Sequence, residues 1–143
     1  MGVCITANNS SINFKMSYGQ FHSLRRNIAE AIDPEFAKLY HEATAFIYLE
    51  DGIKAERAMN KYITDNAEYL KYIEEVLDFL FQSDVDGEVD YRTCKKILDL
   101  IGHVDFKDNN FQYVAYRTSE NDYEKFKRFL KECVRYHRKM RWS

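Results

Sequence analysis

Asp65-Asn66-Ala67-Glu68-Tyr69-Leu70-Lys71-Tyr72-Ile73-Glu74-Glu75-Val76-Leu77-Asp78-Phe79-Leu80-Phe81 decides the fold class of this chain. Asp65 followed by Glu68 has the form of a capping box, in which the two side chains satisfy amides that the first helical turn leaves open. Tyr69, Leu70, Ile73, Val76, Leu77, Leu80 and Phe81 then recur at steps of three and four, which gathers them on one broad face. The stretch predicts a long helix, apolar enough to lie at the centre of a helical core.

The same signals recur on either side of this stretch. Ser17 with Gln20 is a second capping box, with Met16 and Phe21 placed as a hydrophobic staple, so a helix is expected from Tyr18. Phe21, Leu24, Ile28 and Ile32 form its inward stripe and leave Arg25, Arg26 and Glu30 towards solvent. Asp33-Pro34 opens the next helix, because proline at the first helical position forfeits no hydrogen bond. Its stripe is Phe36, Leu39, Tyr40, Ala43, Phe46 and Ile47, and Glu50-Asp51-Gly52 is expected to end it. Residues 53–63 carry a thinner stripe. Asp90 caps a helix with Cys94, Ile97, Leu98 and Ile101 inward and Gly102 at its end. Ser119 caps the last, in which Tyr123, Phe126, Leu130, Cys133 and His137 share a face, expected to run to about Lys139.

The β signals lie at the ends. Val3 and Ile5, then Ile12, Phe14 and Met16, alternate with polar residues around Asn8-Asn9-Ser10-Ser11, which predicts a hairpin over 1–16. Trp142 is costly to leave in water, and the tail Met140-Arg141-Trp142 can pair with that hairpin. Residues 103–118 read as either strand or loop. The expected fold is mainly α (α+β), a single-domain bundle of about five or six helices with a small β element near the termini. One domain spans 1–143, with 17–143 mostly helical.

The composition agrees. A chain of 143 residues with 45% hydrophobic and 31% charged content, one Pro and five Gly excludes disordered, fibrous and linker classes. No apolar run approaches the length of a membrane span, and the N-terminus lacks the basic and apolar regions of a leader, so a cytoplasmic protein without membrane contact is expected. Gly2 followed by Thr6 fits the loose myristoylation pattern, but stable anchoring takes a second signal. Cys4, Cys94 and Cys133 form no C-x-x-C pair and read as buried free thiols.

Three patterns bear on function. Ser83-Asp84-Val85-Asp86-Gly87-Glu88-Val89-Asp90 resembles an EF-hand loop, with Gly87 at position six, Asp84, Asp86 and Asp90 at three, five and nine, and Val89 at eight. Position one is then Gln82 and position twelve Thr93, where the motif needs an acidic ligand and a bidentate Glu. The competing reading is an acidic turn in which Gly87 supplies a left-handed residue and an Asp caps the next helix; it accounts for the missing ligands. No metal and no cofactor are assigned.

The second pattern is charge segregation behind a net charge of −2. Residues 50–90 hold twelve acidic against four basic residues, whereas 91–143 hold thirteen basic against seven acidic. The last helix and tail concentrate Lys125, Lys127, Arg128, Lys131, Arg135, Arg138, Lys139 and Arg141, with Tyr136 and Trp142 among them. Of these, Arg128, Lys131, Arg135, Arg138 and Arg141 are the candidate nucleic-acid contacts, basic groups for phosphates with aromatic rings for bases. The alternative is a solvated face that complements the negative end of its own helix. A pI near 6.1 is not the footprint of a dedicated nucleic-acid domain.

The third is a surplus of aromatic residues, with Tyr48, Tyr62, Tyr72 and Phe79 off the main stripes and suited to a partner contact. Catalytic signals are absent. His41-Glu42 begins a zinc-protease motif whose second His would fall at Ala45, and His22, His103 and His137 stand alone.

The order of hairpin, Ser17-Tyr18-Gly19-Gln20-Phe21 to Leu24-Arg25-Arg26-Asn27-Ile28, the Phe79-Leu80-Phe81-Gln82-Ser83-Asp84 to Gly87 turn with Cys94-Lys95 after it, and a basic C-terminal helix resembles a family of small uncharacterised proteins of Gram-positive bacteria and their phages. The resemblance implies an intracellular bacterial context, linked to a mobile element, and no activity. The function expected is therefore a non-enzymatic interaction or accessory protein with a protein partner, nucleic-acid binding and weak calcium binding being the alternatives.

Overall fold

The computed structural model describes residues 2–44, 49–102 and 120–143. The chain order is β1 (Gly2–Ala7), β2 (Asn13–Ser17), α1 (Tyr18–Ile32), α2 (Pro34–Thr44), α3 (Leu49–Asp65), α4 (Ala67–Lys71), α5 (Glu74–Phe81), β3 (Gly87–Val89), α6 (Tyr91–Ile101), α7 (Glu120–Arg135) and β4 (Met140–Trp142). This is the mainly helical α+β fold that the sequence predicts.

The N-terminal hairpin forms as expected, with Ile5 opposite Phe14 and Val3 opposite Met16. Asn9 takes the left-handed turn position at φ 57°, a conformation that its short polar side chain tolerates. At the entry to α1 both halves of the capping box are present: Gln20 N–H donates to Ser17 Oγ at 3.1 Å and Ser17 N–H to Gln20 Oε1 at 2.9 Å.

The sheet is larger than a hairpin. Its order is β2-β1-β4-β3, antiparallel throughout, so Trp142 lies opposite Ile5 on one side and Gly87 on the other. β3 was not expected, because the acidic segment reads as a turn until its partner strand, some fifty residues away, is known. Val3, Ile5, Ala7, Met16, Val89, Met140 and Trp142 are the buried residues of this sheet. Behind it α1 packs on α2 and α6, and α6 lies between α5 and α7.

Several boundaries differ from the expectation. The long helix from Asp65 is two helices: Asp65 ends α3, and the chain tightens at Tyr72 and Ile73, whose N–H groups reach back three residues to Tyr69 and Leu70 at 3.2 and 3.1 Å. Leu70, Ile73, Val76 and Phe79, all buried, are spaced by three. An α-helix would rotate such a row off the core, whereas a 3₁₀ turn holds it in line. Tyr69 and Phe81, expected on the inward face, are half-exposed. Gly52 lies inside α3 rather than at the end of a helix.

The last helix stops at Arg135, short of Lys139. His137 adopts φ 51°, Arg138 N–H bonds Cys133 O at 2.8 Å and His137 N–H bonds Val134 O at 3.4 Å, the paired bonds of a Schellman ending. His137 is thereby exposed rather than inward, its ring stacked on Tyr91 at 4.3 Å. The expectations for Phe46, Ile47, residues 103–118 and the Ser119 cap lie outside the described residues.

Candidate functional site

The acidic loop is held from behind. Arg25, expected at the surface, is 4% exposed, and its guanidinium donates to the carbonyls of Phe79 and Gln82 at 2.9 Å and of Ser83 at 3.3 Å. Tyr40 Oη donates to Leu80 O and Trp142 Nε1 to Ser83 O, each at 2.9 Å. These donors satisfy carbonyls that the last turn of α5 and the residues just after it leave open, and the cation sits at the negative end of the helix dipole. The guanidinium carbon also lies 4.6, 5.2 and 5.5 Å from the ring centroids of Phe21, Phe79 and Trp142. Flat, polarisable and weakly hydrated, a guanidinium is the cation that such a ring cage accepts. Burial lowers the Arg25 pKa and raises that of Tyr40 to about 12. This cluster is therefore a structural clasp.

Across the mouth of the loop, Gln82 Oε1 accepts from Glu88 N–H at 3.1 Å while Nε2 donates to Glu88 O and Asp78 Oδ2, both at 3.0 Å. Asp90 Oδ1 accepts from Arg92 N–H at 2.6 Å, the expected cap of α6. Asp84 and Asp86 are exposed. Gly87 is in the strand and has no positive φ, which corrects its assignment as a left-handed turn residue. It is small because an added Cβ would stand 2.1 Å from Trp142 Cζ2. Among the described residues, no three His, Cys, Asp or Glu side chains are placed to hold a metal ion.

A second cluster joins α1 to α2. Arg26, also expected in solvent, is 3% exposed and its Nη1 donates to His41 Nδ1 at 2.6 Å. Arginine only donates, so Nδ1 must be unprotonated and the neutral ring carries its hydrogen on Nε2. Burial first, then the Arg26 charge, holds His41 below the usual histidine range, and the same causes in the same order act on His22. Cys94 and Cys133, far apart in sequence, meet between α6 and α7 as buried free thiols, and their mutual hydrogen bond with burial pushes Cys94 up.

The basic tail divides into two sets. Arg138 donates to Asn8 O at 3.2 Å and to Asn9 O, fastening the hairpin turn to the end of α7. Arg141 Nε and Lys139 Nζ pair with Glu88 at 2.6 and 3.4 Å, and their hydrogen bonds hold that carboxyl below its usual pKa. Lys127 pairs with Glu124 at 3.6 Å. These side chains serve the fold. Lys125, Arg128, Lys131 and Arg135 recur at steps of three and four along α7, are exposed, and have no ion-pair partner among the described residues. Of the five candidate phosphate contacts, Arg128, Lys131 and Arg135 thus share one open face, Arg138 is tied to the hairpin turn and Arg141 is paired with Glu88.

Lys125 and Arg128 also rim a groove of about 350 Å³ between α7 and the start of β2, lined with Ile12, Asn13, Phe14, Phe129 and Glu132. Sequence reasoning missed it. The available signal was Ile12, an apolar residue beside a polar turn, 39% exposed. Of the surplus aromatics, Phe79 and Tyr62 are core residues, Tyr72 is 75% exposed, and Tyr48 lies outside the described residues. No helix among the described residues is long and apolar enough to cross a membrane. Comparison with protein families, with curated proteins and with solved structures finds no match for this chain.

Proposed function

We propose that this chain is a non-enzymatic accessory protein of the cytoplasm that binds an acidic protein partner through the solvent face of α7. The observation that carries the reading is the division of the basic tail: Arg138, Lys139 and Arg141 are spent on the fold, whereas Lys125, Arg128, Lys131 and Arg135 lie along one face with no ion-pair partner among the described residues. Unpaired cations aligned on a rigid helix raise the association rate of a complementary surface and select against basic ones. The buried polar groups support the same reading, because Arg25, Tyr40 and the Arg26–His41 pair are engaged in holding segments together. The Gram-positive phage or mobile-element context implied by the resemblance belongs to this proposal.

Nucleic acid is the second reading, favoured by Tyr136. Its ring is 51% exposed and lies 5.3 Å from the guanidinium carbons of both Arg135 and Arg138, a platform on which a base can stack. Glu124 and Glu132 interrupt the face on which a phosphate backbone would run, and the protein reading stands first for that reason.

The test is capture from the native host with and without nuclease, comparing the wild type with the fourfold variant Lys125→Glu, Arg128→Glu, Lys131→Glu, Arg135→Glu. The expected result is an acidic protein at stoichiometric yield that survives nuclease and is lost with the variant. Equal capture by both proteins overturns the proposal, and nuclease-sensitive nucleic acid with no protein replaces it by the second reading.

A further inference from the structure

We infer that the outer edge of β2, beside α7, is a seat for an extended acidic segment of a protein partner, which adds to the sheet as a further strand and sets an apolar side chain against Phe14 and Phe129. The inference rests on the reading of α7 given above and names the form of the partner. β2 is an edge strand, paired among the described residues with β1 alone.

Ala7 N–H bonds Ile12 O, so Ile12 turns its backbone towards β1. Alternation along an antiparallel ladder then turns Phe14 and Met16 the same way and directs the N–H and C=O of Asn13 and Lys15 outward. Outward groups at every second residue are the template that an added strand reads.

The groove supplies what a bare edge lacks. It lies against Asn13, its lining includes Ile12, Phe14 and Phe129, and the last two meet edge to face at 5.5 Å. Side chains of an added strand alternate between faces, so every second one can reach that lining. Lys125 and Arg128 on the rim, with the exposed Lys15 on the strand itself, set the charge of the occupant as acidic. A nucleic acid fits less well, because phosphates have no use for the outward N–H and C=O row. A second copy is disfavoured for the opposite reason, since it would bring Lys15 against Lys15, and edge lysines commonly block such pairing.

The probes are a fluorescein-labelled nine-residue peptide alternating glutamate with isoleucine, and polyglutamate of equal length. Binding to the full chain is followed by anisotropy, and amide exchange at Asn13 and Lys15 by NMR. The alternating peptide is expected to bind at least tenfold tighter than polyglutamate and to slow exchange at both amides. Lys15→Pro removes one outward N–H and no bond to β1, and should weaken binding at least tenfold while Lys15→Gln retains most of it. Ile12→Asp should weaken it as much, and it stands in for the proline variant if that variant fails to fold. Equal affinity for the two peptides, no binding of either, or unchanged exchange at Asn13 and Lys15 overturns the inference. Binding of both peptides that is lost in Lys131→Glu with Arg135→Glu, yet indifferent to Lys15→Pro and Ile12→Asp, overturns the strand seat and leaves the α7 reading standing.

Discussion

Replacing Gly87 by alanine puts a methyl group into the centre of the Trp142 seat. The added Cβ would lie 2.1 and 2.5 Å from Trp142 Cζ2 and Cε2 and 2.8 Å from Gln82 Oε1. None of these can give way freely. Trp142 is 1% exposed, its ring centroid is 5.8 Å from that of Phe21 and 5.3 Å from that of Phe79, and its Nε1 is tied to Ser83 O. Overpacking a site this closed costs about 2–3 kcal/mol, which for a chain of this size lowers Tm by about 7 °C. Gly52 is the control: it lies within α3 and an added Cβ meets nothing within 4 Å among the described residues. Gly52→Ala should therefore stabilise by about 0.5–1 kcal/mol, the entropy and propensity gain of alanine in a helix. Urea and thermal unfolding of both variants read these directly. The cause is isolated by a double-mutant cycle with Trp142→Leu, which removes the ring that the methyl strikes, so most of the Gly87→Ala cost should vanish in that background. If the cost is undiminished there, the residue is needed for its backbone conformation and the account of the β3–β4 seat is wrong.

Three further outcomes follow from the interior. His22 and His41 are held below the usual histidine pKa in the folded chain, so the unfolded chain binds more protons as the medium is acidified. Their contribution is fully present above about pH 6.5 and is lost as pH falls towards their folded values; urea midpoints measured from pH 7.5 to 5 should fall, and His41→Gln should flatten the slope. Arg25→Met strips the donor from three carbonyls and should cost about 3 kcal/mol, with Arg25→Lys recovering little, since an ammonium cannot span them or lie flat among the rings. Millimolar calcium should leave the thermal midpoint unchanged, because Asp90 is committed to the α6 amide and Gln82 to Glu88; a rise would show a ligand bound to the folded state.

What could be read from the sequence was local. The Ser17–Gln20 box, the Asp90 cap and the hairpin each depend on residues within a few positions of one another, and each is present as expected. The cost of exposing an indole places the tail beside the hairpin, and Trp142 lies opposite Ile5 of β1. The misreadings share a different cause. Arg25 and Arg26 sit on the polar side of a helical wheel, but the carbonyls, rings and imidazole that accept them come from α2, α5 and β4. β3 is three residues long and is defined by its pairing with β4. The break at Tyr72 and Ile73 is hidden in the sequence because Leu70, Ile73, Leu77 and Leu80 also recur at the three- and four-residue steps of an unbroken α-helix. The basic strip was visible as composition, yet which members stay open depends on Glu88 and on the hairpin turn.

The central claim is that the open face of α7 binds and does not stabilise. Its most direct test measures, on one preparation of the fourfold variant Lys125→Glu, Arg128→Glu, Lys131→Glu, Arg135→Glu, both the unfolding free energy and the capture of the partner. These side chains have no ion pair among the described residues to lose, so stability should change by no more than about 0.5 kcal/mol per exposed site while capture is abolished. Capture at the wild-type level by a folded variant would contradict the account.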